Sequence, residues 1–291
     1  MKKHKICKIL LVILAIFLCV AFYELIGICV AYKKQPEVSN TTKKETKNGS
    51  WNECSENTER AVIIEKNPEA LLQRVRLIKN AKKEIILSTF AFQSDESGKL
   101  ILGALHDAAD RGVHIRLLVD GMESWIDMEG NPYFYGLSSH ENVEIKLYNK
   151  ANPLKPWKMM GRMHDKYLIA DGKRYILGGR NTYNYFLGDF PGHKNYDRDV
   201  LVVCDEPEKE NSVNQLLEYF ETIWEQEDSG YFHDNKKLAN RKSVKNAVLE
   251  LQNGYQKYFE ENKERICDTD YTDETFETEK IALVSNPIHT G

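Results

Sequence analysis

His164-Asp165-Lys166-Tyr167-Leu168-Ile169-Ala170-Asp171-Gly172-Lys173-Arg174-Tyr175-Ile176-Leu177-Gly178-Gly179-Arg180-Asn181 decides how this chain is read. It predicts two short strands, Lys166 to Ala170 and Arg174 to Leu177, joined by a turn at Asp171-Gly172. Side chains two apart on a strand point to one side, so His164 and Lys166 present an imidazole and an ammonium together. The return strand delivers Gly178, Gly179 and the Asn181 amide near the same place. A nucleophile, a fixed positive charge and donors able to approach phosphate oxygens are what phosphoryl transfer without a metal needs. The set calls for no cofactor. Six cysteines (7, 19, 29, 54, 204 and 267) form no CxxC, and no His/Cys cluster has zinc-ligand spacing.

The chain has 291 residues, room for one large or two modest domains. Its net charge of −4 does not describe a nucleic-acid binder, and no nucleic-acid partner is expected. Between Glu144 and Arg180, however, nine Lys or Arg (146, 150, 155, 158, 162, 166, 173, 174, 180) stand against three acids (144, 165, 171). That basic neighbourhood suits an anionic substrate, with a solvated face as the plain alternative.

Lysines 2, 3, 5 and 8 precede an apolar run from Ile9 to Tyr23, which resumes from Leu25 to Tyr32 after Glu24. Residues 9–32 are long enough for one spanning helix and too long for a secretory apolar segment. The excess of lysine before the run predicts a cytoplasmic N-terminus and an extracytoplasmic lobe. Glu24 is expected near the outer interface, since carboxylates at depth are costly. Residues 33–60 are polar and read as a tether. From residue 61, strands alternate with helices of 12 to 16 residues, an α/β layer sandwich with a mixed sheet. The expected strands include 61–64, 84–92, 113–120, 143–148 and 197–203. The expected helices run from Pro68, from Gly98 to Arg111, along the face Leu216–Trp224, and over 236–265. A last short strand is expected at Ile281–Val284.

With its motif complete, this sequence resembles the phospholipase D superfamily, whose signature is H-x-K-x4-D-x6-G-(S/G)-x-N. His164, Lys166, Asp171, Gly178, Gly179 and Asn181 fill every specified position. Tyr185-Phe186 after the motif, Ala108-Ala109-Asp110-Arg111-Gly112-Val113 before it and the N-terminal apolar run resemble bacterial cardiolipin synthases. The resemblance implies a phospholipase D-like α/β lobe over 61–227, with 228–291 as a helical connector and the start of an absent second lobe. It implies two motifs per active site. Only one is present here, so a homodimer, or a lost half, is expected to bear on activity.

The resemblance also implies a phosphohistidine pathway: one motif histidine attacks the phosphodiester and the other protonates the leaving alcohol. His164 fills one of these roles. Lys166 and Asn181 are expected on the phosphate oxygens, with Gly178, Gly179 and Arg180 as candidate phosphate-binding positions. For Gly178 and Gly179 a simple turn is the even alternative, and for Arg180 a structural ion pair. Asp171 is a motif carboxylate, expected more to shape the turn than to touch substrate. Asp197 is the candidate carboxylate for orienting the imidazole, with Asp199 the alternative. The implied substrate is an anionic phospholipid, phosphatidylglycerol, at a membrane. Phosphatidyl transfer, lipid or nucleic-acid phosphodiester hydrolysis, and an inactive half-enzyme are the competing outcomes. Pro153, Pro156 and Trp157 suit an interfacial loop.

Overall fold

The computed structural model describes residues 2–33, 43–44, 59–159, 161–208, 210–233 and 236–285. Most of the expected tether and the ending 286–291 lie outside the described residues. A first helix, α1 (Lys2–Lys33), carries the apolar run, and its segment His4–Ala31 is long and apolar enough to cross a membrane.

The strands are β1 (Glu59–Ile64), β2 (Glu84–Thr89), β3 (His114–Asp120), β4 (Val143–Tyr148), β5 (Tyr167–Ala170), β6 (Arg174–Gly178), β7 (Asp199–Val203), β8 (Ser229–Tyr231) and β9 (Phe276–Thr278). They form a single mixed sheet in the order β8-β4-β3-β2-β5-β6-β7-β1-β9. Only β2, β3 and β4 run parallel to their neighbours in this row; the other pairings are antiparallel. The remaining helices are α2 (Asn67–Asn80), α3 (Glu96–Asp110), α4 (Gly121–Asp127), α5 (Pro132–Ser138), α6 (Ser212–Trp224), α7 (Lys242–Glu261) and α8 (Lys263–Cys267).

Alternation along the strands feeds two cores. Ile85, Leu87, Leu168 and Ala170 face α2, α3, α5 and α7 in the larger one. Ile86, Tyr167, Ile169 and Tyr175 face Leu216, Phe220 and Trp224 of α6 in the smaller one. Sequence periodicity therefore locates most elements within a few residues.

Two expectations change. Ile281–Val284 forms no strand; the ninth strand is Phe276–Thr278, paired with β1 at the sheet edge. The segment 228–291, expected as a connector and the start of another lobe, packs on the lobe through its described elements. Strand β8 extends the sheet beside β4, and α7 buries Val244, Leu251, Tyr255 and Phe259 against the larger core. The boundary expected at 227 falls inside one packed body.

Asp171 takes the turn-shaping place expected of it. It sits with Gly172 in the β5–β6 turn at positive φ, 55° and 63°, the pairing that a tight hairpin favours. Its carboxylate accepts the backbone N–H groups of Lys82 (2.9 Å), Lys83 (2.7 Å) and Glu84 (3.1 Å), tying the hairpin to the start of β2. Seven residues of mostly extended chain separate it from His164, roughly 20 Å at strand rise. Among the motif residues, Asp171 stands at the far end of the strand, where its carboxylate holds the fold together.

Candidate active site

Strand directions decide where the motif lies. β5 is antiparallel to β2, with Tyr167 opposite Ser88, so the start of the motif sits beside the C-terminal end of β2. β6 returns to the same edge, where Leu177 pairs with Tyr167, and β7 begins there with Asp199 opposite Gly178. The C-terminal ends of β2, β3 and β6 and the starts of β5 and β7 thus share one edge of the sheet. Carboxyl ends of parallel strands are where open α/β sheets take their ligands.

On this edge Arg162, His164 and Lys166 alternate along extended chain and converge on Phe90, the residue just after β2. The His164 ring meets Phe90 edge-on with centroids 4.6 Å apart. Lys166 Nζ is 5.3 Å and the Arg162 guanidinium 5.1 Å from the same ring centroid. The His164 side is open to solvent, whereas Lys166 is buried to 5 % exposure, and its Nζ donates to the His164 carbonyl at 2.6 Å. Expected partners in the sequence are therefore neighbours in space.

The segment before His164 is fixed by Asp120, the last residue of β3. Its buried carboxylate accepts from Met122 N–H (3.0 Å), Arg162 Nη2 (2.6 Å) and Met163 N–H (3.1 Å). Asp165 points the other way, toward α6, and accepts from the Tyr219 hydroxyl at 2.8 Å; burial raises its pKa above the ordinary carboxylate value. Asn181 is buried, with Oδ1 accepting from Ala91 N–H at 3.2 Å, so its NH2 group is what it can offer a phosphate.

Partial burial and the Lys166 charge hold the His164 imidazole below its ordinary pKa of 6.5, while Asp165 and Asp120 oppose them. Burial likewise lowers the Lys166 ammonium, against the charges of Asp165 and Asp197. A depressed imidazole is neutral, hence nucleophilic, at neutral pH. We expect His164 to titrate below 6.5 by NMR. Lys166→Met should move that titration upward but not fully back, because burial remains the first cause; no movement would show that the two side chains do not sense each other.

Several expected site residues take other work. Arg180 is 1 % exposed, and its guanidinium is used inward: on Ile64 O (3.1 Å), Glu65 O (2.6 Å), Asn67 Oδ1 (3.2 Å) and Asp199 Oδ2 (3.3 Å). All three of its guanidinium nitrogens are thus engaged within the fold. Gly178 and Gly179 have committed their N–H groups to Lys166 O (3.1 Å) and Arg198 O (3.3 Å). A Cβ on Gly178 would collide with Asp199 and one on Gly179 with the Asp197 carboxylate, so these glycines admit the neighbouring chain, not a ligand.

Asp199 is wholly buried between Arg74 (2.9 Å) and Arg180 and cannot serve an imidazole. Asp197 is exposed over Gly179, with Oδ1 accepting from Arg198 N–H at 2.7 Å. It acts on Lys166 and is not set against the His164 ring. Part of the basic neighbourhood is paired within the protein: Lys146 donates to Trp224 O (2.8 Å), Lys158 pairs with Asp228 (3.0 Å) and Arg174 with Asp205 (2.6 Å). Phe90 and Asp120 were not singled out from sequence. Their signal was their place at the ends of strands whose order only the fold reveals.

Comparison with known proteins agrees with this geometry. Residues 74–224 match the family model described as cardiolipin synthase, PLD-like domain. An uncharacterized protein of Helicobacter pylori (strain J99) is 30% identical over 212 residues, covering 68% of this chain and 39% of that protein. Cardiolipin synthase C of Escherichia coli K12 is 29% identical over 171 residues, 54% of this chain and 34% of that protein. The chain thus spans well under half the length of these curated relatives. Among solved structures, phosphatidylserine synthase of Haemophilus influenzae Rd KW20 superposes with a TM-score of 0.52 at 18% identity, over 76% of this chain and 48% of that one. That likeness bears on the fold alone. With the motif histidine, lysine and asparagine gathered on one sheet edge and more than half of its length matched by the family, the chain belongs to the phospholipase D-like domains of the cardiolipin synthase family.

Proposed function

We propose that this protein is a membrane-anchored phosphatidyltransferase that joins two phosphatidylglycerol molecules into cardiolipin and releases glycerol. The carrying observation is the open, pKa-depressed His164 held with Lys166 against one aromatic ring. One His164 attacks phosphorus, and the bond to the departing glycerol oxygen breaks as a second histidine gives that oxygen its proton. The terminal hydroxyl of another phosphatidylglycerol then attacks phosphorus, yields its proton to the second histidine and frees His164. Lys166 and the Asn181 amide steady the charge gathering on the phosphate oxygens. The second histidine comes from a second copy of this chain or from a second lobe. Helix α1 holds the reaction at its lipid, with the N-terminus cytoplasmic.

The test is turnover of phosphatidylglycerol by the full chain in mixed micelles, with oligomeric state measured on the same sample. Cardiolipin and glycerol in equal amounts from a dimer are the expected result. Phosphatidic acid alone would replace transfer by hydrolysis, and absence of turnover in both monomer and dimer would overturn the reading.

A further inference from the structure

A second recess lies apart from the Phe90 cluster. It encloses about 570 Å3, within the size range of small-molecule sites. Met122 and Trp125 of α4, Met159 of the β4–β5 connection and Phe232 after β8 give it apolar walls, and Glu24 of α1 closes one side. Lys150 is among its few charged members. The lobe supplies most of this recess, and the apolar helix borders it through Glu24.

Specific contacts hold α1 there. The Tyr23 hydroxyl donates to Leu154 O at 2.8 Å. Gly27 is buried on a helix otherwise largely exposed, and a Cβ there would collide with the Pro156 ring. Around the recess, large apolar side chains stand in the open: Trp125 at 64%, Ile126 at 66%, Leu154 at 77% and Trp157 at 46% exposure. In water such a grouping is unusual. Beside a helix long and apolar enough to span, it fits the bilayer boundary, where tryptophan is favoured. Lys150 Nζ donates to Tyr231 O, and Glu129 lines the recess too; the exposed Lys155 on the same connection is the cation that suits an anionic headgroup layer. With α1 as a membrane anchor, lipid surrounds it at that level, and lipid is what a recess opening beside it would admit.

We propose that this recess holds an acyl chain of an anionic glycerophospholipid, taken directly from the bilayer between α1 and the β4–β5 connection. The inference rests on the membrane-anchored reading and deepens it. The same connection runs from α1 to His164, and the adjoining Asp120 anchors its last residues, Arg162 and Met163. Lipid in the recess would therefore sit one chain segment from the catalytic edge.

The full chain is reconstituted in nanodiscs of phosphatidylcholine with phosphatidylglycerol carrying a photoactivatable diazirine on an acyl chain. Labelled peptides are mapped after irradiation. Labelling of 121–129, 151–159 and 232–233 in addition to α1 is expected. Ala151→Trp, which puts an indole into the recess from an exposed position, should remove the lobe labelling and leave that of α1. Gly27→Leu should do the same by levering α1 off Pro156. Label confined to α1, or lobe labelling untouched by both substitutions, would overturn the proposal. The readout is attachment, not turnover, so a chain without transferase activity would still be labelled if the recess binds lipid.

Discussion

His164→Ala lowers kcat/KM for phosphatidylglycerol by about 10⁴-fold or more, roughly 5 kcal/mol of lost transition-state stabilisation. The imidazole supplies the bond to phosphorus on one side of the reaction and proton transfer on the other. Its loss therefore removes covalent and acid–base catalysis together. The effect should be purely chemical. The ring is exposed, its contact is one edge-on meeting with Phe90, and the chain before it is held by Asp120. Thermal melting of the mutant should match that of the unaltered chain. Turnover retained within tenfold would move the nucleophile elsewhere and sink the phosphohistidine pathway.

How far sequence reads this site depends on what kind of order each residue obeys. His164, Lys166 and the Asp171-Gly172 turn follow period-two alternation and turn chemistry, both local rules, and the fold honours them. Arg180 defeats the same logic. Its charge suggests phosphate, yet it lies between Gly179 and Asn181 and turns inward to carbonyls of Ile64 and Glu65, more than a hundred residues earlier. Phe90 and Asp120 are the converse, ordinary by composition and made important by strand order. Ile281 to Val284 shows the limit of pattern from another side. Ile281 and Leu283 do pack on the α6 side of the sheet, as alternation promises, and the Leu283 N–H donates to Gln215 Oε1 at 3.0 Å. Apolar packing was legible, whereas the choice of Phe276–Thr278 as the strand beside β1 was not. Phe276–Thr278 is too short and polar to announce itself; Arg60 reaching Glu277 at 3.0 Å and Thr278 Oγ1 donating to Glu59 O at 2.7 Å hold it to β1.

The second large effect follows from that inward turn. Asp199→Ala should destabilise the lobe by about 3–5 kcal/mol, the usual cost of removing one partner from a buried charge cluster. Its carboxylate lies between Arg74 and Arg180, and all three side chains are at most 4% exposed. Burial already presses the Arg180 pKa down, and Asp199 is the first charge that opposes it. Without that carboxylate two guanidinium groups face each other with no counter-charge inside the fold. Asp199→Asn keeps shape but not charge, so it should lose nearly as much; this separates electrostatics from packing. The loss should reach the catalytic edge as well. Arg180 and Asn181 are consecutive, so the hold on Arg180 helps fix where the buried Asn181 amide lies. Chemical denaturation of the full chain in micelles, with Arg180→Met and the double variant, measures the coupling. A coupling energy near zero would show that Arg74 alone satisfies Asp199 and that Arg180 is held by its carbonyls.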